Sequence, residues 1–148
     1  MMKKLLFLLL LLAAVGTQAQ NYTPFTKSYS YLQEFEGGFE NVKEVKVFTK
    51  IIFNYNHASY VKIKVYGDDE HPSSYIYYLT SSWTEETLKS GTKVKTATVI
   101  NTHDTNDTKY ELTVFSNFAA VSIVNVTTRE GTSFTNTKIK EDEPRDVY

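Results

Sequence analysis

Cysteine is absent from this 148-residue chain. Its absence excludes disulfides, thiolate metal sites, a thiol nucleophile and any lipid attached through an N-terminal Cys. A small domain without disulfides must be held together by packing alone. Strong charge of either sign is also missing: 16 basic and 17 acidic side chains give a formal net charge of -1. No Arg cluster occurs, and the lysines are scattered at alternate positions, so a phosphate-tracking surface and nucleic-acid binding are not expected. There is no internal repeat, no Pro-rich or Gly-Ser linker, and only one long apolar run.

That run sets the expected destination. Lys3 and Lys4 precede an unbroken apolar stretch from Leu5 to Val15, and Thr17 and Ala19 supply small residues at the positions a signal peptidase requires. Residues 1–19 are therefore expected to be a cleaved signal peptide. The stretch falls well short of the ~20 residues a spanning helix needs, so no stable membrane span is expected after cleavage. Removing Lys3 and Lys4 leaves 14 basic against 17 acidic side chains, an ordinary solubilising charge. The compact signal and the lack of Cys point to a secreted or periplasmic bacterial protein. Three Asn-x-Thr triplets, at Asn21, Asn106 and Asn125, would be glycan acceptors only in a eukaryotic pathway.

The remainder reads as one β domain, residues 20–140, followed by a disordered acidic tail over 141–148. In Tyr60–Tyr66, Val61, Ile63 and Val65 alternate with Lys62 and Lys64, the period of a half-buried strand. In 45–53, Val45, Val47, Ile51 and Phe53 share the run with Phe48 and Ile52, and Asn54–His57 joins it to the next strand as a hairpin. Further strands are expected over 74–80, 93–100, 109–115, 119–128 and 134–139, separated by turn-forming segments that favour a meander. Ser82 with Glu85, a late Lys89 and Gly91 form a capping pattern, which predicts one short helix or a loop near 83–90. The stretch before Val42 suggests one strand and a Gly37-Gly38 turn. The expected fold is all-β and antiparallel, a sandwich or flattened barrel of seven to eight strands. Its expected core is Val45, Val47, Ile51, Val61, Ile63, Val65, Leu79, Leu112, Val114, Val121 and Ile123.

Candidate chemistry is sparse. His57, His71 and His103 each sit in an expected turn, and no G-x-S-x-G elbow accompanies them, so an enzyme is not expected. Asp68, Asp69, Glu70 and His71 cluster in one turn, and His103, Asp104 and Asp107 in another. Neither has the spacing of a calcium loop, and no metal or other cofactor is expected. A lipid-embedded β-barrel is disfavoured by the lysines that punctuate most strands.

The aromatic side chains are the exception. Eleven tyrosines and a single Trp combine apolar rings with polar tips, as interfaces require. Tyr60 and Tyr66 bracket Lys62 and Lys64 on one strand face, Tyr75 and Tyr77 lie in the next strand, and Trp83 stands at a strand end. These five residues are the expected ligand-binding set. Against this, tyrosine is a strong strand former that makes cross-strand pairs, and Trp83 suits either a core plug or a binding platform. Two functions follow. The first is a non-catalytic exported binding or structural module that recognises a glycan or protein partner through tyrosine-rich strand faces and loop ends. The alternative is a calycin-like carrier that holds a small apolar ligand inside a barrel.

Overall fold

Alternation of Val and Ile with Lys makes β3 (Tyr60–Tyr66) a strand with one apolar face, and that face needs a partner on the same side of the sheet. In the computed structural model, which describes residues 23–36, 41–56, 58–67 and 71–137, the partner is the sheet itself, curled until it closes. The other strands are β1 (Phe25–Glu36), β2 (Asn41–Phe53), β4 (Ser73–Leu79), β5 (Thr84–Thr87), β6 (Lys93–Asn101), β7 (Lys109–Phe115), β8 (Ala120–Asn125) and β9 (Gly131–Thr135). A single 3-10 turn, Ser116–Phe118, separates β7 from β8. The N-terminal 22 residues, the Gly37-Gly38 turn, His57, Asp68 to Glu70 and the C-terminal tail lie outside the described residues. Among the described residues no helix is long and apolar enough to cross a membrane.

Every pairing is antiparallel. The sheet runs β4-β3-β2-β1-β9-β8-β7-β6-β5, and contacts between β4 and β6 close eight strands into a barrel with β5 as an extra strand. The expected β2–β3 hairpin is present, with Phe53 opposite Val61 and Ile51 opposite Ile63. Its turn uses Asn54 and Asn56 at positive φ, which asparagine tolerates better than most residues.

The interior is filled by Tyr29, Ile51, Phe53, Val61, Ile63, Val99, Leu112, Val114, Val121, Ile123 and Phe134, with Leu32, Val65, Leu79 and Tyr77 packed around them. These side chains point inward, and Lys50, Lys62 and Lys64 point outward.

Three expectations are corrected. Thr84–Thr87 is a strand and not a helix or loop: β4 leaves the edge of β6 after Leu79 pairs with Val99, and Thr84 to Thr87 occupy the vacated edge opposite Thr96 to Lys93. Unpaired backbone groups on a sheet edge outweigh a capping pattern too short to hold a helix alone. The last strand begins at Gly131 and not at Phe134, because its glycine is needed between β1 and β8. Val45 is 39 % exposed and outside the core, since the β1–β2 register shifts between Tyr29 and Tyr31. A shift of this kind moves the residues beyond it to new environments; here it sets both Tyr29 and Leu32 against the core.

One core position is chemically out of place. Thr49, fully buried opposite Tyr29 and Val65, has a hydroxyl with no hydrogen-bond partner among the described residues. Burying an unbonded hydroxyl is costly, whereas valine has the same branched shape without it. Thr49→Val is therefore expected to stabilise the barrel by about 1 kcal/mol, seen as a higher urea midpoint at unchanged slope. A lower midpoint would show that the hydroxyl is bonded in solution.

Candidate functional site

At the end of the barrel where β5 replaces β4 the pairing changes. Among the described residues β1 from Phe25 to Tyr29 pairs with β2 alone, because β9 meets β1 no earlier than Tyr31. Asn136 bridges the step from its side chain, accepting from Ser30 N at 2.9 Å and donating to the Ser28 carbonyl at 3.1 Å. Aromatic rings close much of what remains. Phe25 stacks on Phe53 with centroids 5.1 Å apart, and Phe118 meets both edge-on at 5.5 and 5.3 Å.

Phe118 reaches this place at a conformational cost. Both Asn117 and Phe118 have positive φ, 57° and 56°, a region that costs about 1 kcal/mol or more for a residue with a Cβ. The turn is held by the Tyr29 hydroxyl, which donates to the Phe118 carbonyl at 2.9 Å, and by the Ser116 hydroxyl, which donates to the Lys93 carbonyl at 2.6 Å. The Lys27 ammonium lies 4.8 Å from the Phe118 ring centre, a cation–π distance.

Between these rings and β5 lies a cavity of about 350 Å³, within the range of small-molecule sites. Phe25, Phe53, Phe118 and Trp83 form its aromatic wall, Val61 and Val114 its aliphatic wall, and Asn54, Glu85 and Lys95 its polar edge. Glu85 and Lys95 are directly opposite one another in the β5–β6 register. A second cleft of about 270 Å³ adjoins it and shares Glu85, Lys95, Val114 and Phe118. The arrangement suits a ligand with an apolar body and a polar end; it offers no nucleophile paired with a base.

The five residues expected from sequence are not brought together. Trp83, 38 % exposed, lines the cavity. Tyr60 and Tyr66 lie on the outer face of the barrel, where Tyr60 pairs with Tyr78 at 5.3 Å and Tyr66 with Phe48 at 5.6 Å. Tyr75 and Tyr77 are in register with the interior residues Ile63 and Val61. Tyr77 packs against the core and meets Tyr110 edge-on at 6.0 Å, whereas Tyr75 is 43 % exposed. Burial foremost, with Tyr110 and Tyr75 nearby, pushes the Tyr77 phenol up to about 12, although a hydrogen bond with the Asn101 side chain pulls the other way.

Sequence reasoning missed Phe25, Phe53 and Phe118, whose only advance signal was an aromatic at a strand end or in a short link. The turn histidines His71 and His103 are exposed. Asp104 directs one carboxylate oxygen to Asn106 N at 2.9 Å and the other to Thr108 N at 3.2 Å. These bonds, with Asn106 first, hold its carboxyl below the usual range and make it a brace for its turn. Among the described residues no group of three His, Asp or Glu is placed to hold a metal ion. No protein-family model matches this chain, and no characterised protein or solved structure is significantly similar to it.

Proposed function

We propose that this protein is an exported, non-catalytic binding module whose principal site is the aromatic mouth of the barrel. Its ligand is a small molecule with an apolar ring or chain and a polar end group. The observation that carries this reading is the cavity walled by Phe25, Phe53, Trp83 and Phe118 with Glu85 and Lys95 at its edge. The calycin-like alternative is thereby narrowed: the middle of the barrel is occupied by core side chains, so a carried ligand sits in the mouth.

The only tryptophan of the chain is also the reporter. Anilinonaphthalene sulfonate, an aromatic probe with an anionic end, is expected to bind the native protein with one-to-one stoichiometry and to quench Trp83 fluorescence. Ala58 also lines the cavity, and Ala58→Phe fills the space without removing a ring. Both Trp83→Ala and Ala58→Phe should weaken probe binding about tenfold or more, as loss of a buried aromatic contact or of the space itself would do. Probe affinity unchanged in Ala58→Phe would overturn the assignment, because that variant leaves every aromatic wall in place.

A further inference from the structure

We propose that the outer face of β2, β3 and β4 is a second binding surface, and that it takes an acidic polysaccharide. This goes beyond the mouth and does not rest on it.

The face is defined by what lies behind it. Val61 and Ile63 are buried in the core, so Tyr60, Lys62, Lys64 and Tyr66 project outward. The register sets Lys64 opposite Lys50 and Lys62 opposite Ile52, and on the other side Lys62 opposite Ile76 and Tyr60 opposite Tyr78. The stretches 46–53, 60–66 and 73–79 carry Lys46, Lys50, Lys62 and Lys64 and no Asp or Glu, the nearest acidic residues in sequence being Glu44 earlier in β2 and Asp68, Asp69 and Glu70 between β3 and β4. On a chain with a formal net charge of -1, this is a segregation of positive charge.

The Lys50–Lys64 pair opposes folding, since like charges directly across a ladder repel. A bound anion relieves that repulsion. The ammonium groups are set among rings: Lys50 Nζ is 5.7 Å from the ring centres of both Phe48 and Tyr66, and Lys62 Nζ is 4.7 Å from that of Tyr55. Along β3 the order is therefore a ring pair, a lysine pair, a single lysine and a second ring pair. Tyr66 lies six positions beyond Tyr60, about 20 Å of strand. An extended polymer with flat, partly apolar units and regularly spaced carboxylates matches this alternation, its units against the rings and its carboxylates on the lysines. A lipid surface matches it less well, because the exposed rings, Phe48 at 45 % and Tyr78 at 39 %, stand at opposite ends with charge between them.

The test is affinity electrophoresis and calorimetry of the purified protein with polygalacturonate, with neutral dextran and with phosphatidylglycerol vesicles. Polygalacturonate is expected to bind and dextran and the vesicles are not, with affinity falling as salt is raised. The double variant Lys50→Gln with Lys64→Gln should lose about tenfold or more in affinity, consistent with charge-assisted contacts. The same variant should melt no lower than the parent protein, because a repulsive pair has been removed; this separates a binding role from a structural one. Tyr66→Ala should weaken polygalacturonate binding and leave the response to salt in place. Equal retention on dextran, binding only to vesicles, or undiminished affinity in a folded double lysine variant would each overturn the proposal.

Discussion

Gly131→Ala is expected to cost about 3 kcal/mol of stability, and Gly131→Val to cost more. A Cβ at Gly131 would stand 2.9 Å from Val124 Cα, nearer still to the Ile123 carbonyl oxygen, and 3.1 Å from the tip of the Phe35 ring. Two of these neighbours are backbone of β8. They cannot withdraw without opening the ladder that pairs Val124 with Gly131 and Ile123 with Thr132. The third is the ring of Phe35, opposite Gly131 in the β1–β9 register and 4 % exposed. Glycine here gives an aromatic on the neighbouring strand room to lie over the backbone, and φ is not the reason. Urea unfolding followed by circular dichroism checks the prediction. Pairing Gly131→Ala with Phe35→Leu should recover only a minor part of the loss, since the backbone clash remains. A loss below about 1 kcal/mol for Gly131→Ala would show that β8 and β9 part easily at this point.

Alkaline pH is the second strong perturbation. Burial pushes the phenols of Tyr29 and Tyr77 up to about 12 from an ordinary value of 10.0. Each is raised in the folded state, so the folded protein holds these protons more tightly than the unfolded chain. The resulting stability is fully present below pH 10 and is lost as the pH rises through about 12. The urea midpoint is therefore expected to be insensitive to these two groups below pH 10 and to fall steeply between pH 10 and 12. Ultraviolet titration should show the Tyr29 and Tyr77 phenols ionising near pH 12. The double variant Tyr29→Phe with Tyr77→Phe should flatten the alkaline slope; a slope as steep as that of the parent would assign alkaline unfolding to other groups. Tyr29 also carries the hydroxyl that bonds the Phe118 carbonyl, so its ionisation should loosen the strained turn beneath the mouth. Probe affinity at the mouth is accordingly expected to fall over the same pH interval.

Strand identity was legible wherever alternation was clean. Val61, Ile63 and Val65 against Lys62 and Lys64 placed β3 to the residue, and the run from Lys109 to Phe115 did the same for β7. Legibility failed where neighbours outweighed local pattern. The TEET segment carries helix-start signals, yet its backbone pairs along β6 because β4 has departed from that edge. The first strand was hard to delimit because a register shift near Tyr29 breaks its period, and β9 starts early because a glycine fits where no side chain can.

For the candidate sites the division follows the same physics. Trp83 and the row Tyr60, Lys62, Lys64 and Tyr66 could be singled out from sequence, the former as the one tryptophan and the latter as a face opposite a buried one. Alternation shows which residues share a face; what covers or adjoins that face depends on contacts distant in sequence. Phe25, Phe53 and Phe118 become one wall only when the sheet closes through β1–β9 and β4–β6. Likewise Lys50 is set beside Lys64 by the β2–β3 register. Composition and alternation alone thus specify an all-β chain, packed without disulfides, with one strand face both aromatic and basic. Closure into a barrel, the mouth beside β5 and the grouping of distant aromatics there come from contacts far apart in the chain, because backbone hydrogen bonds on a sheet edge take whichever partner the rest of the fold brings to them.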